Sequence, residues 1–237
     1  MDEIAEFVDE RQKSWCIHCA RPLSSVKQTR DHIPTKTLLH LPFPRNMPIV
    51  HICAECNHGF SKDERYLVAL LGAVVSGSTD PDAQVNSNAA RILRNDQIVR
   101  SDVERGKKEY KTIGGEARVL WSVNFKRVKT VVVKNARGHL FFEYGEPMLR
   151  EPLSVSVIPL NSMTGTERDD FEKIPEDSVW PEVGSRMMTR MMTGQDLDGS
   201  WIVVQPGVYR YSVAQHDGDI MVRSVMSEYL ATEVSWE

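Results

Sequence analysis

Nowhere in this 237-residue chain is there an apolar run long enough to cross a bilayer, which takes about 20 residues; the most apolar stretch, Tyr66 to Val75, covers ten. The opening MDEIAEFVDERQK is acidic and has no apolar core, so it does not read as a secretory signal. Cysteine is scarce too. Its 4 residues fall in two Cys-x-x-Cys pairs, Cys16/Cys19 and Cys53/Cys56, leaving no thiol for a disulfide framework. These absences together predict a cytoplasmic protein with no membrane partner. With 41% hydrophobic and 26% charged residues the chain is neither disordered nor fibrous, and it is long enough to bury a proper core. It contains no internal repeat and no low-complexity tract.

What the chain does have is metal-ligand spacing. Two residues between cysteines let both thiolates of a turn reach one ion, and two such knuckles complete a tetrahedral set at about 2.3 Å per bond. A single pair has redox and core-packing alternatives. Two pairs in one segment predict a structural Zn²⁺ site at Cys16, Cys19, Cys53 and Cys56. The intervening 33 residues are too many for a tight turn and enough for a hairpin.

The net charge of −4 argues against a nucleic-acid partner, but it is unevenly spread. Residues 91–141 carry 13 basic against 5 acidic side chains, and residues 142–237 carry 7 against 17. The basic stretch, running from Arg91 through Lys107-Lys108 to Lys134 and Arg137, can follow a phosphate backbone or form a solvated helix face.

Periodicity predicts an α+β protein. The first dozen residues read as a short amphipathic helix, Lys62–Val75 as a buried helix, 76–82 as a loop and 87–111 as a polar helix. Phe125, Val128, Val132 and Ala136 recur at helical spacing, with Gly138 as the expected cap. Arg118–Asn124, Leu140–Tyr144 and Ser154–Leu160 read as strands, as do four further segments between Trp201 and Trp236, with Asp217-Gly218 as a hairpin turn. Asp169–Ile174 reads as a helical turn and Arg186–Met192 as a short helix or strand. The expected organisation is a zinc-braced unit over 1–76, a basic helical linker over 77–115 and an α+β unit, mainly antiparallel, over 116–237.

The segment TRDHIPTKTLL, followed by RNMPIVHICAECNHGFSKDERYL, resembles the HNH endonuclease family over about residues 14–70. The resemblance implies a ββα-metal finger, treble-clef-like, braced by the cysteine knuckles. It also implies a divalent ion, Mg²⁺ or Mn²⁺, held by Asp31 and Asn57, with Asn46 orienting His32. The residue types suit the chemistry. A neutral imidazole abstracts a proton from water near neutral pH, which makes His32 the candidate general base. Asp31 offers a hard oxygen and Asn57 a neutral one, and few protein ligands leave positions for phosphate and water. The third position departs from the commoner family pattern, where His stands at Asn57. His58, one residue on, is the alternative ligand, about 100° around the helix. Arg30 and Lys62 are candidate phosphate contacts, and Lys36 a weaker one; His18 and His51 are read as structural.

The expected activity is hydrolysis of DNA, with RNA also open, by a protein that pairs as a homodimer to cut both strands. The acidic C-terminal half is left for assembly, target choice or a protein partner, as in a restriction or phage-defence role. The competing reading is a zinc-knuckle module that binds nucleic acid or protein without cutting anything.

Overall fold

The computed structural model describes residues 3–4, 12–45, 47–173, 178, 180–216 and 218–237. In chain order these form β1 (Glu3–Ile4), β2 (Gln28–His32), β3 (Met47–Cys53), α1 (Ala54–Ser76), α2 (Ser87–Asn95) and α3 (Gln97–Gly106). A hairpin follows, β4 (Lys107–Lys111) and β5 (Ala117–Trp121), then the long α4 (Phe125–Tyr144). The C-terminal half supplies β6 (Ser154–Pro159), α5 (Gly165–Glu172), α6 (Arg186–Thr193) and β7 (Leu197–Asp198). It ends in β8 (Trp201–Gln205), β9 (Tyr209–His216), β10 (Asp219–Met226) and β11 (Leu230–Trp236). The described fold is α+β with mostly antiparallel pairing. β2 and β3 are antiparallel, β1 joins β3 in parallel, and the last strands form one antiparallel sheet in the order β6-β11-β10-β9-β8-β7.

The run LVALLGAVV forms the last turns of α1, buried from Tyr66 through Leu71, and the helix stops where Gly77 adopts a left-handed conformation at φ +71°. Around it gathers the main core: Leu38, Leu39 and Met47 from the hairpin, Leu93 and Val103 from α2 and α3, Val128 to Leu140 from α4, and Tyr211, Val222 and Trp236 from the sheet. A smaller core of Cys16, Ile17, Leu23, Ile33, Val50, Ile52, Cys53 and Phe141 lies under the knuckles. α4 touches both cores, so it ties the N-terminal hairpin to the C-terminal sheet. Its last turns also carry a buried polar lock. Glu143 accepts from Arg190 Nε at 3.1 and 3.0 Å and from the Tyr211 hydroxyl at 2.6 Å, so neither buried charge is left alone.

The structure corrects several expectations. Residues 87–111 are two helices and a strand: Asp96 ends α2 and caps α3 by accepting from Val99 N at 3.1 Å, and the chain turns into β4 at Gly106. Glu3–Ile4 is a strand rather than part of a helix; residues 5–11 lie outside the described residues, as does Asp217 of the expected hairpin turn. Leu140–Tyr144 is helical, because its apolar residues continue the buried face of α4 and packing overrides β-propensity. The true cap is Gly145, at φ +82°.

Gly138 is therefore interior to the helix, and its role is closeness. A Cβ there would sit 2.3 Å from Cδ1 and 2.8 Å from Cγ1 of Ile33, a fully buried residue directly after Asp31-His32. Gly138→Ala is expected to destabilise by about 1–3 kcal/mol through overpacking, although alanine favours a helix by about 1 kcal/mol over glycine. In a thermal-melt double-mutant cycle with Ile33→Ala, the pair should lose less than the two single variants combined. Additive losses would mean that the two residues do not collide.

Candidate functional site

The knuckles are built by turns and by the start of a helix. The first doubles back so that Cys16 N donates to Arg21 O and Ala20 N to Cys16 O, both at 2.9 Å, with Ala20 forced to φ +58°. The second sits where β3 runs into α1; Cys53 is the N-cap, and its sulfur accepts from Cys56 N at 3.4 Å. The Cys16 sulfur accepts from Cys53 N at 3.5 Å. All four sulfurs lie within 4.8 Å of one another, with Cys19 and Cys53 at 3.7 Å. A tetrahedron with bonds of about 2.3 Å has edges of about 3.8 Å, so the cluster fits and can hold an ion such as Zn²⁺.

Its electrostatics ask for one. Burial tends to raise the Cys19 thiol, but hydrogen bonds from Arg21, whose Nε lies 3.4 Å from the sulfur, outweigh this and bring it down to about 6. Burial and the neighbouring sulfurs push Cys56 strongly up, and burial raises Cys16. One thiolate forms readily and the next ones are opposed; a divalent cation removes that opposition.

β2, β3 and α1 follow one another as an antiparallel hairpin and a helix, with Asp31 opposite Val50 and His32 opposite Ile49. Successive strand residues face opposite ways, so Thr29 and Asp31 turn towards the helices while Arg30, exposed, and His32, half-buried, share the opposite face with His51. In the crevice between β2 and α1, Asn57 Nδ2 donates to Thr29 Oγ1 at 3.0 Å. Two residues along, Asp31 is buried and accepts from Lys134 Nζ at 2.8 Å. The Lys134 ammonium, fully enclosed, also donates to Glu64 Oε1 at 2.7 Å and to Thr35 Oγ1 at 3.1 Å. Burial alone would lower the Lys134 amine, but Asp31 and Glu64 reverse the direction and hold it protonated. Burial raises the Asp31 carboxyl, with Lys134 acting against it. The other carboxylate oxygen, Oδ2, is out of solvent and has no hydrogen-bond partner among the described residues.

The structure thus sets Asp31 and Asn57 on the packed elements β2 and α1, with Asn57 hydrogen-bonded to Thr29 two residues before Asp31, places His32 on the other face of its strand, and leaves His58 exposed on α1. Asn46 lies outside the described residues. Arg30 is exposed beside His32; Lys62 is exposed, and its carbonyl accepts from Arg127 Nη2 at 2.6 Å. Lys36 stacks its ammonium 4.6 Å from the centre of the Phe43 ring. Part of the basic stretch is buried or already paired: Lys134 is buried, Arg127 pairs with Asp63 at 2.8 Å, and Arg94 pairs with Asp82 at 2.6 Å on the surface. Among the described residues, the cysteines are the only group of three or more His, Cys, Asp or Glu side chains whose ligand atoms converge.

Lys134, Glu64, Thr35 and Thr29 were not foreseen as part of this crevice. The available signal was a lysine among the valines and alanine of a helix face. No family model matches the chain, and no curated protein or solved structure matches it either.

Proposed function

We propose that the chain is a metal-dependent endonuclease of the HNH type that hydrolyses phosphodiester bonds in DNA. The observation that carries this reading is the packing of β2 against α1 beside the cysteine cluster. A cysteine cluster clamps a hairpin ending in Asp31-His32 against a helix whose first turn carries Asn57, and Asp31 keeps one buried oxygen without a partner among the described residues. That oxygen and the Asn57 carbonyl would hold a divalent ion such as Mg²⁺ or Mn²⁺, which when bound neutralises charge growing on the phosphate. His32 is the candidate base and Arg30 the candidate phosphate contact; both stand on the face of β2 opposite Asp31, so a phosphate served by His32 and by that ion would lie across the end of β2, where the strand stops at His32. Two protomers would cut the two strands, and RNA is the substrate class to test second.

A purified protein with zinc retained should nick supercoiled plasmid when Mg²⁺ or Mn²⁺ is added. His32→Ala should lose about 10²–10⁴-fold in rate, the range expected for removal of a general base, while keeping its zinc and with only a small drop in melting temperature. Absence of nicking by the wild type in both metals would sink the nuclease reading.

One observation favours a second reading, a zinc-knuckle binding module without catalysis. Lys134 already supplies a cation to Asp31, and an ammonium beside that carboxylate works against a divalent ion. In that case, DNA binding survives and neither metal nor His32→Ala changes anything.

A further inference from the structure

We propose that the β4–β5 hairpin is a DNA-engaging arm, with Ile113 as an apolar wedge for the minor groove and Lys108 and Lys111 as its phosphate contacts. The inference rests on the nuclease reading only for the identity of the nucleic acid, and it concerns binding rather than cleavage.

The hairpin is an outlier in its own fold. It forms a separate two-stranded sheet of five paired positions, about 17 Å long, from Lys107↔Trp121 at its base to Lys111↔Ala117 near its tip. An isolated two-stranded ribbon is marginal in water, so this one is held from below. Ser122 N donates to Gly106 O at 2.8 Å, and a Cβ on Gly106 would lie 2.3 Å from Ser122 O; only glycine lets the two strand roots meet. The tip is fixed as well. Thr112 N donates to Glu116 O and Gly115 N to Thr112 O, both at 2.9 Å, while Thr112 Oγ1 accepts from Glu116 N at 3.2 Å.

On this pinned tip stands Ile113, fully exposed at 111%. Further down the ribbon Tyr110 and Leu120 are more than half exposed, at 52% and 56%. An isoleucine displayed on a rigid turn has no core to serve. The surrounding charge favours a polyanion, since Lys107, Lys108, Lys111 and Arg118 outnumber Glu109 and Glu116 in the sequence of the ribbon. Lys108 and Lys111 are exposed and, among the described residues, make no ion pair, unlike Arg94, Arg105, Arg127 and Lys134 of the same basic stretch. A narrow basic ribbon ending in an aliphatic side chain matches duplex DNA. The lysines meet the phosphates on either side of a groove, while the isoleucine enters between base pairs and kinks the helix.

The test uses the whole zinc-containing protein without Mg²⁺ or Mn²⁺. Affinity for a labelled duplex of about 25 base pairs is measured by anisotropy across a salt series, and bending by energy transfer between its ends. Lys108→Ala/Lys111→Ala should reduce the magnitude of the salt slope by about 2, since each phosphate contact contributes about 0.9. Ile113→Ser should leave that slope in place, weaken binding about tenfold and abolish the bend. Melting curves should match the wild type in both variants. The proposal is overturned if the wild type does not bind duplex at low salt, if both variants bind and bend it as the wild type does, or if Ile113→Ser instead breaks a dimer in sedimentation. Binding that fails in these variants while plasmid nicking is absent in the wild type removes the nuclease reading alone; nicking with unchanged binding removes the arm alone.

Discussion

Removal of zinc is expected to unfold the first knuckle, residues 15–27, to loosen the turn at Cys53–Cys56, and to take any DNA cleavage with it. The small core beneath the knuckles contains only eight buried residues, two of them cysteines, whereas Leu38, Leu39 and Met47 anchor the hairpin in the main core, so the loss falls on the knuckles. Apparent binding energies of structural zinc run to about 10–16 kcal/mol, as large as the whole stability of a typical domain, about 5–15 kcal/mol. The main core does not include the cysteines, so α1 through α4 and the antiparallel sheet should persist. Metal analysis should find one zinc per chain, a chelator should lower the first melting transition, and limited proteolysis should then cut within 15–27. Cys53→Ser should reproduce the chelated state, because its sulfur accepts from the Cys56 amide and lies 3.7 Å from that of Cys19. A zinc-free protein that resists proteolysis equally would mean that packing, not metal, holds the knuckles.

The cysteine pairs were legible because ligand spacing is local: two residues set the turn, and no distant contact is needed to read it. The hairpin and helix between and after them were legible for the same reason, as were the strands from Trp201 onward, where alternation and turns set the pattern. What the sequence concealed lies at long range. Thr35 and Asn135 are 100 residues apart in the chain, and their contact at 3.1 Å could not be read from either end. Gly138 looked like a helix stop because glycine often is one; only Ile33, packed against it, shows that it is a point of contact. The basic stretch looked like one continuous phosphate track. Folding divides it into inward-turned charges, such as Lys134, and outward ones, such as Lys108, a distinction that composition does not carry.

Lys134→Ala is expected to destabilise the protein by about 3–5 kcal/mol, the cost of leaving buried carboxylates without their counter-charge. The loss has two sources, since the ammonium serves Asp31 and Glu64 together and also fills the hydrogen bond to Thr35. Lys134→Met restores the volume but not the charge, so it should fail almost as badly. Adding Asp31→Asn and Glu64→Gln to it removes the orphaned charges, and this triple variant should recover most of the lost stability, because neutral side chains of similar shape replace an ion pair at little net cost. Chemical denaturation of the single and triple variants measures this directly; a Lys134→Ala protein as stable as the wild type would show that the ammonium is not the keystone of the crevice. The same reasoning separates folding from chemistry at Asp31. Its carboxylate anchors a buried lysine through one oxygen and has a second oxygen available for an ion, so Asp31→Ala should lose stability and cleavage together. His32, on the opposite strand face and outside this network of buried charge, should lose cleavage with a much smaller loss of stability.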